Sequence, residues 1–177
     1  MAVPSKEDLV QVRIDTSAGA IVVALDRGRA PLSVANFLAY VDGGKFSGES
    51  FYRAMPYGNG GLIQGGITTD ARKLRNPVAH EPTSTTHLSN VAGALVMARD
   101  DPGSARSDFF ILTTDIKAFD SSAADPGFAV FGRVVEGMEV VKAIFGAPRS
   151  ATKGVGVMKG QMLDPAVRIV KATRLSR

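Results

Sequence analysis

The chain has no cysteine, which excludes a disulfide framework and thiolate chemistry and leaves the redox compartment open. No apolar run approaches the ~20 residues that a membrane-spanning helix needs. Residues 1–8 lack the apolar centre of a signal peptide, so we expect no leader in this stretch and keep both cytoplasm and periplasm open as locations. No sequence repeat is present, and 177 residues are the length of one ordinary domain.

Positive charge is not concentrated in any one segment, although the net charge is +4. The densest basic cluster, Arg72-Lys73-Leu74-Arg75, has no neighbouring aromatic side chains on which bases could stack. We therefore interpret the charge as a mildly basic surface. The sequence predicts no nucleic-acid partner, no membrane partner and a monomeric protein.

Motifs for metal ions and for covalent catalysis are also missing. His80-Glu81 and His87 do not have the spacing of a zinc-binding helix, and Pro82 would interrupt one, so we expect loop hydrogen bonds there. The glycine-rich stretch Gly58–Gly61 lacks the lysine of a phosphate-binding loop, and no serine lies in a nucleophile elbow. The sequence predicts no metal and no cofactor.

The first elements are predicted by periodicity. Residues 11–16 and 20–25 alternate around a short glycine-containing turn, which is typical of a β-hairpin. Apolar residues recur at helical spacing from Pro31 to Val41, and two glycines follow, so this segment is predicted as a helix. A second helix is predicted over Gly137–Phe145, ended by Gly146.

Short β-like runs separate these helices, and the links between them are rich in glycine, proline and small polar residues. The predicted strands are Ser50–Met55, Leu62–Gly65, Gly93–Ala98, Phe109–Thr113, Phe128–Val135 and Val167–Ala172. Many strands with two amphipathic helices indicate one barrel capped by helices. We predict a flexible N-terminus over residues 1–8 and a single domain over residues 9–177.

Four motifs occur in a characteristic order: Phe51-Tyr52-Arg53, Leu62-Ile63-Gln64-Gly65-Gly66, Ser107-Asp108-Phe109-Phe110-Ile111 and Phe128-Ala129-Val130-Phe131-Gly132. Together they resemble the cyclophilins, the peptidyl-prolyl cis-trans isomerases, and most closely the small bacterial members. The resemblance covers nearly the whole chain, from the first hairpin through Met158-Lys159-Gly160-Gln161. It implies a mostly β fold, a closed antiparallel eight-stranded β-barrel capped by two α-helices. It also implies a substrate class: proline-containing peptides and unfolded protein chains.

An arginine next to apolar side chains suits this reaction. Amide resonance opposes rotation of a peptide bond by ~18–20 kcal/mol. In the twisted transition state the prolyl nitrogen becomes a hydrogen-bond acceptor, so a guanidinium aimed at it binds the transition state better than either planar isomer. One such donor supplies roughly 3–4 kcal/mol, whereas a millionfold acceleration needs about 8 kcal/mol. The remainder requires an apolar pocket that holds the proline ring and excludes water.

The resemblance assigns site residues individually. Arg53 matches the catalytic arginine, Gln64 the glutamine of the Gln-Gly-Gly motif and Phe110 the floor of the proline pocket. Phe119 stands where the family usually has leucine, and Phe128 replaces a histidine. The full set expected to bind substrate is Leu62, Gln64, Met97, Ala98, Arg99, Asp108, Phe110, Phe119 and Phe128.

Departures from the family pattern leave a second hypothesis open. Gly61 replaces an aromatic residue, so we expect a pocket wall to be missing, with Tyr57 as a candidate to fill the gap. Asp108 and Arg99 replace a glutamine and an asparagine and add charge to the groove. Ala118 replaces a tryptophan of eukaryotic members, which predicts weak or no cyclosporin binding. The alternative function is therefore a proline-peptide binding or chaperone module with weak or no isomerase activity.

Overall fold

The computed structural model describes residues 8–175, and its strands close into an antiparallel barrel in the order β1-β2-β7-β5-β6-β4-β3-β8. The strands are β1 Leu9–Thr16, β2 Gly19–Asp26, β3 Ser50–Tyr57, β4 Gly60–Gly66, β5 Ala94–Met97, β6 Phe109–Leu112, β7 Val130–Glu136 and β8 Met162–Arg174. The helices are α1 Pro31–Asp42, α2 Thr83–Thr86 and α3 Met138–Phe145. The mostly β, eight-stranded fold predicted above is confirmed.

The predicted flexible N-terminus lies outside the described residues except for Asp8, whose carboxylate accepts two hydrogen bonds from Arg27. The hairpin and both long helices form where periodicity predicts them. The third helix, α2, is a single turn inside a segment that the sequence indicates only as a link. Within residues 8–175, no helix is long and apolar enough to cross a membrane.

Helix α1 begins without a side-chain cap on its own preceding residue. Its free backbone N–H groups are satisfied instead by Glu81, whose carboxylate accepts from the backbone N–H of Leu32 (3.2 Å) and of Ser33 (2.7 Å). His80 Nε2 lies 2.8 Å from Pro126 O. Hydrogen bonds of Glu81 and His80 thus tie the link between β4 and β5 to α1 and to the segment before β7. Loop hydrogen bonds of this kind were expected for these two residues.

Two apolar clusters lie on the two faces of the barrel wall. The larger cluster fills the interior and includes Phe37, Phe46, Phe51 and Phe109, whose rings pack edge to face or tilted at centroid distances of 5.2–5.6 Å. The smaller cluster includes Leu62 and Phe110 and lies on the other face. Alternation along β6 therefore sends Phe109 inward and Phe110 outward.

Strand β3 contains a β-bulge at Tyr52. Phe51 pairs with Gly65 and Arg53 with Gln64, so Tyr52 is an extra residue with no partner of its own on β4. A bulge changes the direction of the side chains around it. It is the reason that adjacent residues Tyr52 and Arg53 line the same cleft on the outside of the barrel.

Candidate active site

One row of paired residues crosses four neighbouring strands and places the main site residues side by side. Arg53 on β3 pairs with Gln64 on β4, Gln64 pairs with Phe110 on β6, and Phe110 pairs with Val96 on β5. Directly opposite residues in antiparallel strands have Cβ atoms about 4.5–5.5 Å apart. The register of the barrel thus brings the arginine and the phenylalanine floor to one surface, with the glutamine between them.

A cleft of about 510 Å³ lies over this row. Its volume falls within the range of ~300–1,000 Å³ that is typical of ligand pockets. One side is polar and the other is aromatic. The lining residues are Tyr52, Arg53, Met55, Leu62, Gln64, Ile67, Leu74, Ala98, Arg99, Asp100, Ser104, Arg106, Ser107, Asp108, Phe110, Phe119, Phe128 and Met158.

The Arg53 guanidinium is held from two sides. Its Nη1 donates to Gln64 Oε1 (2.9 Å), and its Nε donates to Gln161 Oε1 (2.9 Å), just before β8. Its Nη2 has no hydrogen-bond partner in the described part of the chain, so N–H groups stay free for a ligand. Burial lowers the pKa of Arg53, but the ordinary value lies so far above neutrality that the side chain keeps its charge.

A polar network, defined here as Arg53, Gln64, Tyr52 and Asp108, continues from this arginine. Gln64 Nε2 donates to the Tyr52 hydroxyl oxygen (2.8 Å), and the Tyr52 hydroxyl donates to Asp108 Oδ2 (2.5 Å). Gly66 makes room for the carboxylate, because a Cβ atom there would lie 2.0 Å from Asp108 Oδ1. The second glycine of the Gln-Gly-Gly motif is therefore required by this close approach.

The two acidic groups of the network have raised pKa values. Burial raises the pKa of Asp108 and the charge of Asp100 adds to it, while hydrogen bonds from Tyr52, Ser107 and Gln64 oppose the rise. Burial and the neighbouring Asp108 raise the pKa of Tyr52 far above its usual value, so the hydroxyl keeps its proton. Tyr52 is therefore a permanent donor toward the carboxylate of Asp108.

The opposite side of the cleft is the aromatic wall, defined as Phe110, Phe119 and Phe128. Their ring centroids lie 4.8–5.7 Å apart, in tilted or edge-to-face pairs. Arg99 lies over the Phe128 ring, with its Cζ 4.6 Å from the centroid, and it also donates to Gly127 O. The Arg99 guanidinium therefore contacts the aromatic wall through a cation–π interaction with Phe128.

Asp120 supports the aromatic wall from behind. Its carboxylate accepts from Ser89 Oγ (2.5 Å), from Asn90 N (2.8 Å) and from Asn90 Nδ2 (2.8 Å). Burial acts to raise the pKa of Asp120, but these hydrogen bonds and the charge of Lys117 outweigh it, so the pKa lies below its usual value. The residue next to Phe119 is thus anchored to the segment before β5.

Nine of the ten residues that the sequence indicated line the cleft, namely Arg53, Leu62, Gln64, Ala98, Arg99, Asp108, Phe110, Phe119 and Phe128. Met97 does not. It is 2% exposed in the barrel interior, because alternation along β5 places it on the face opposite to Val96. We therefore remove Met97 from the residues expected to touch a substrate.

The expected gap at Gly61 is also not in the cleft. A Cβ atom at this position would lie 1.9 Å from Met55 O and 2.7 Å from the Phe145 ring, so Gly61 faces the β3 backbone and α3. No pocket wall is lost there. Tyr57, the candidate to fill the gap, is 42% exposed beside Phe119 and does not line the cleft.

Sequence reasoning missed several side chains around the cleft. Tyr52 precedes Arg53 in the motif, and on a regular strand the two side chains would point to opposite faces. The bulge instead brings both to the cleft. Gln161, which binds Arg53, and Met158 come from a segment more than one hundred residues later, and only the family resemblance over residues 158–161 pointed to it. Among residues 8–175, no group of three or more histidine or acidic side chains could hold a metal ion.

Comparison with known proteins identifies the family. A family model described as cyclophilin type peptidyl-prolyl cis-trans isomerase/CLD matches residues 10–174. The chain belongs to the cyclophilin family. Curated relatives include peptidyl-prolyl cis-trans isomerase A of Dickeya dadantii (strain 3937), 42% identical over 88% of this chain and 80% of the relative. Peptidyl-prolyl cis-trans isomerase cyp18 of Streptomyces antibioticus is 38% identical over 81% of this chain and 87% of the relative.

Solved structures with the same fold include a cyclophilin type peptidyl-prolyl cis-trans isomerase of Cryptosporidium parvum. It covers 96% of this chain and 99% of its own, with a TM-score of 0.77 at 21% identity. The same parasite protein, crystallised in the presence of the dipeptide Ala-Pro, aligns with a TM-score of 0.73 at 22% identity, over 94% of this chain and 99% of that one. At this level of identity the likeness supports the fold.

Proposed function

We propose that this cyclophilin accelerates cis-trans isomerisation of X–Pro bonds in peptides and unfolded protein chains, with Arg53 stabilising the twisted amide. The observation that carries the proposal is the position of Arg53. Its guanidinium is fixed by Gln64 and Gln161 and lies in the same cleft as the Phe110 ring, and its Nη2 has no hydrogen-bond partner among residues 8–175. A donor and an apolar floor thus line one cleft of about 510 Å³, a volume within the range of ligand pockets.

The reaction needs no nucleophile and no proton transfer. A proline ring resting on the aromatic wall leaves the preceding carbonyl free to rotate about the C–N bond. Midway through this rotation the prolyl nitrogen loses its conjugation and accepts a hydrogen bond from the Arg53 guanidinium. Because a planar amide nitrogen accepts hardly at all, this contact stabilises the transition state selectively. The preorganised guanidinium requires little rearrangement when the bond forms.

Exchange spectroscopy on an Ala-Pro peptide tests the proposal. The parent protein should raise the rate of isomer exchange well above the uncatalysed rate. Arg53→Ala should lower kcat/KM by ~10²–10³-fold, the usual loss for one preorganised donor. Arg13→Ala is a matched control, since Arg13 is an exposed arginine on β1 outside the cleft. An Arg53→Ala variant as fast as the parent would remove the proposed mechanism.

The alternative, a binding module with weak or no turnover, is supported by Asp108 alone. Of the three departures that suggested it, Gly61 faces away from the cleft and Arg99 is engaged by Gly127 and Phe128, whereas Asp108 remains a charged group within the cleft. The two functions give different results in one experiment. A binding module would hold the peptide with a measurable Kd while isomer exchange stays at the uncatalysed rate.

A further inference from the structure

The polar network connects a permanent cation to a titratable carboxylate through two neutral side chains. The groups at its two ends determine which atoms donate and which accept in each hydrogen bond. Arg53 has only donors and an ionised Asp108 has only acceptors. The Gln64 amide between them must therefore present its oxygen to the arginine and its NH₂ group to the tyrosine, as the distances show. The reverse orientation would place donors against donors at one end.

Tyr52 transmits the orientation, because a hydroxyl has a single proton. Its oxygen accepts from Gln64 Nε2, so its proton points to Asp108 Oδ2, 2.5 Å away. This arrangement depends on a charged carboxylate. If Asp108 takes up a proton, the acceptor facing Tyr52 either becomes a donor or loses its charge, and the hold on the Gln64 amide weakens. Arg53 then loses a firmly oriented acceptor at Nη1.

We propose that Tyr52 and Asp108 are positioning residues for Arg53, and that ionisation of Asp108 sets the acidic limit of isomerase activity. The proposal rests on the proposed function, since it concerns the geometry of the same arginine. It follows from the order of the hydrogen bonds and from the bulge that turns Tyr52 into the cleft. Asp108 does not hydrogen-bond Arg53; it acts through Tyr52 and Gln64, and Gln64 Nε2 also reaches Asp108 Oδ2 directly at 3.5 Å.

The surroundings of Asp108 are consistent with this role. Tyr52 faces it from β3, Gln64 faces it from β4, and Ser107 Oγ lies 3.2 Å from its Oδ1. The other charged groups lining the cleft are Arg99, Asp100 and Arg106. Asp108 forms no ion pair within 4 Å in residues 8–175, so its charge is balanced only through the network. Burial, together with the charge of Asp100, raises the pKa of Asp108 above its ordinary value.

Exchange spectroscopy over a series of pH values tests the proposal without a coupling protease. For the parent, kcat/KM should fall on the acidic side with a one-proton midpoint. Asp108→Asn should remove this fall. Asp100→Asn should keep it but move it to lower pH, because the charge of Asp100 raises the pKa of Asp108. Asp15→Asn, on β1 and outside the cleft, should behave as the parent.

Tyr52→Phe is the second variant, because it breaks the network while keeping the ring. It should lower kcat about three- to tenfold at neutral pH, the usual effect of one lost hydrogen bond, with little change in KM. It should also flatten the acidic fall. An Asp108→Asn variant with an unchanged acidic fall, or a Tyr52→Phe variant with the parent's rate and pH profile, would overturn the proposal.

A measurement independent of turnover separates this proposal from the proposed function. The NMR shift of Arg53 Nε–H should titrate with the same midpoint in the parent and should lose that titration in Asp108→Asn. A parent that never accelerates exchange overturns the proposed function and the acidic limit of activity. Absence of the Arg53 titration overturns the positioning of the arginine, whatever the rate.

Discussion

The two sides of the cleft are built on different physical principles. The aromatic wall is held by ring packing and by Asp120, a carboxylate whose lowered pKa reflects its many hydrogen bonds. The polar side is held by a hydrogen-bond network that runs from Arg53 to Asp108, a carboxylate whose pKa is raised. Asp120 is stabilised in its charged form and supports the structure of the wall. Asp108 is destabilised in its charged form, so it is the carboxylate whose protonation state can change as pH falls.

The largest expected effect on the folded state comes from the phenylalanines of β6. Phe109→Ala and Phe110→Ala should each lower the free energy of unfolding by about 3–5 kcal/mol, since both rings are buried. Chemical denaturation measures this loss. Only changes at position 110 should weaken peptide binding, because Phe109 faces the barrel interior.

Substitution by leucine at the same two positions should preserve the fold and separate effects on stability from effects on peptide binding. Phe109→Leu and Phe110→Leu should have similar melting temperatures, while a peptide titration shows a higher Kd for Phe110→Leu alone. Equal loss of binding in both variants would mean that the aromatic wall acts only through the stability of the barrel.

The next effect concerns the two carboxylates. The lowered pKa of Asp120 means that its contribution to stability is present above the unfolded-state pKa, near 3.9, and is lost as pH falls through the folded-state value. Asp120→Asn should therefore cost about 1–2 kcal/mol at neutral pH. The cost should shrink in acid, as measured by urea unfolding at several pH values.

The pH dependence of stability has the opposite sign at Asp108. Its raised pKa means that its contribution is present below the unfolded-state pKa and is lost as pH rises through the folded-state value. Asp108→Asn should therefore unfold at the same or a higher urea concentration than the parent at neutral pH, and this advantage should disappear in acid. A variant less stable than the parent at neutral pH and equal to it in acid would contradict the assignment of Asp108 to the responsive side.

The smallest effect concerns a residue at the edge of the aromatic wall. Ala118 is exposed in the turn that carries Phe119. We expect cyclosporin to inhibit the parent weakly or not at all, and Ala118→Trp to increase inhibition modestly in the exchange assay. Strong inhibition of the parent would show that the wall binds the drug without a tryptophan.

Alternation and turn residues predicted most of the strands and helices, whereas the closed eight-stranded barrel and the aromatic wall were expected from the resemblance to the cyclophilins. Phe109 and Phe110 illustrate the alternation, because neighbouring residues on a regular strand must face opposite sides. Tyr52 could not be predicted in the same way, since a bulge breaks the alternation at that residue. Met97 lies in the barrel interior and not in the cleft, because its residue type does not tell which face of β5 it occupies.

The orientation of Asp108 and Arg99 also depends on tertiary structure. The sequence predicts that both residues add charge to the groove. In the structure, Asp108 ends a hydrogen-bond network, whereas Arg99 lies over the Phe128 ring and donates to Gly127 O. These partners come from other strands and loops, and only the barrel's register brings them together. The contacts of a polar group can be settled only after its neighbours are in place.

The most direct test of the account measures peptide binding and isomer exchange in the same NMR sample for the parent, Arg53→Ala and Phe110→Leu. We expect Arg53→Ala to keep a Kd close to the parent's but to exchange isomers far more slowly at saturation, whereas Phe110→Leu should mainly raise the Kd. Exchange at the parent's rate by saturated Arg53→Ala would contradict the central role of the arginine.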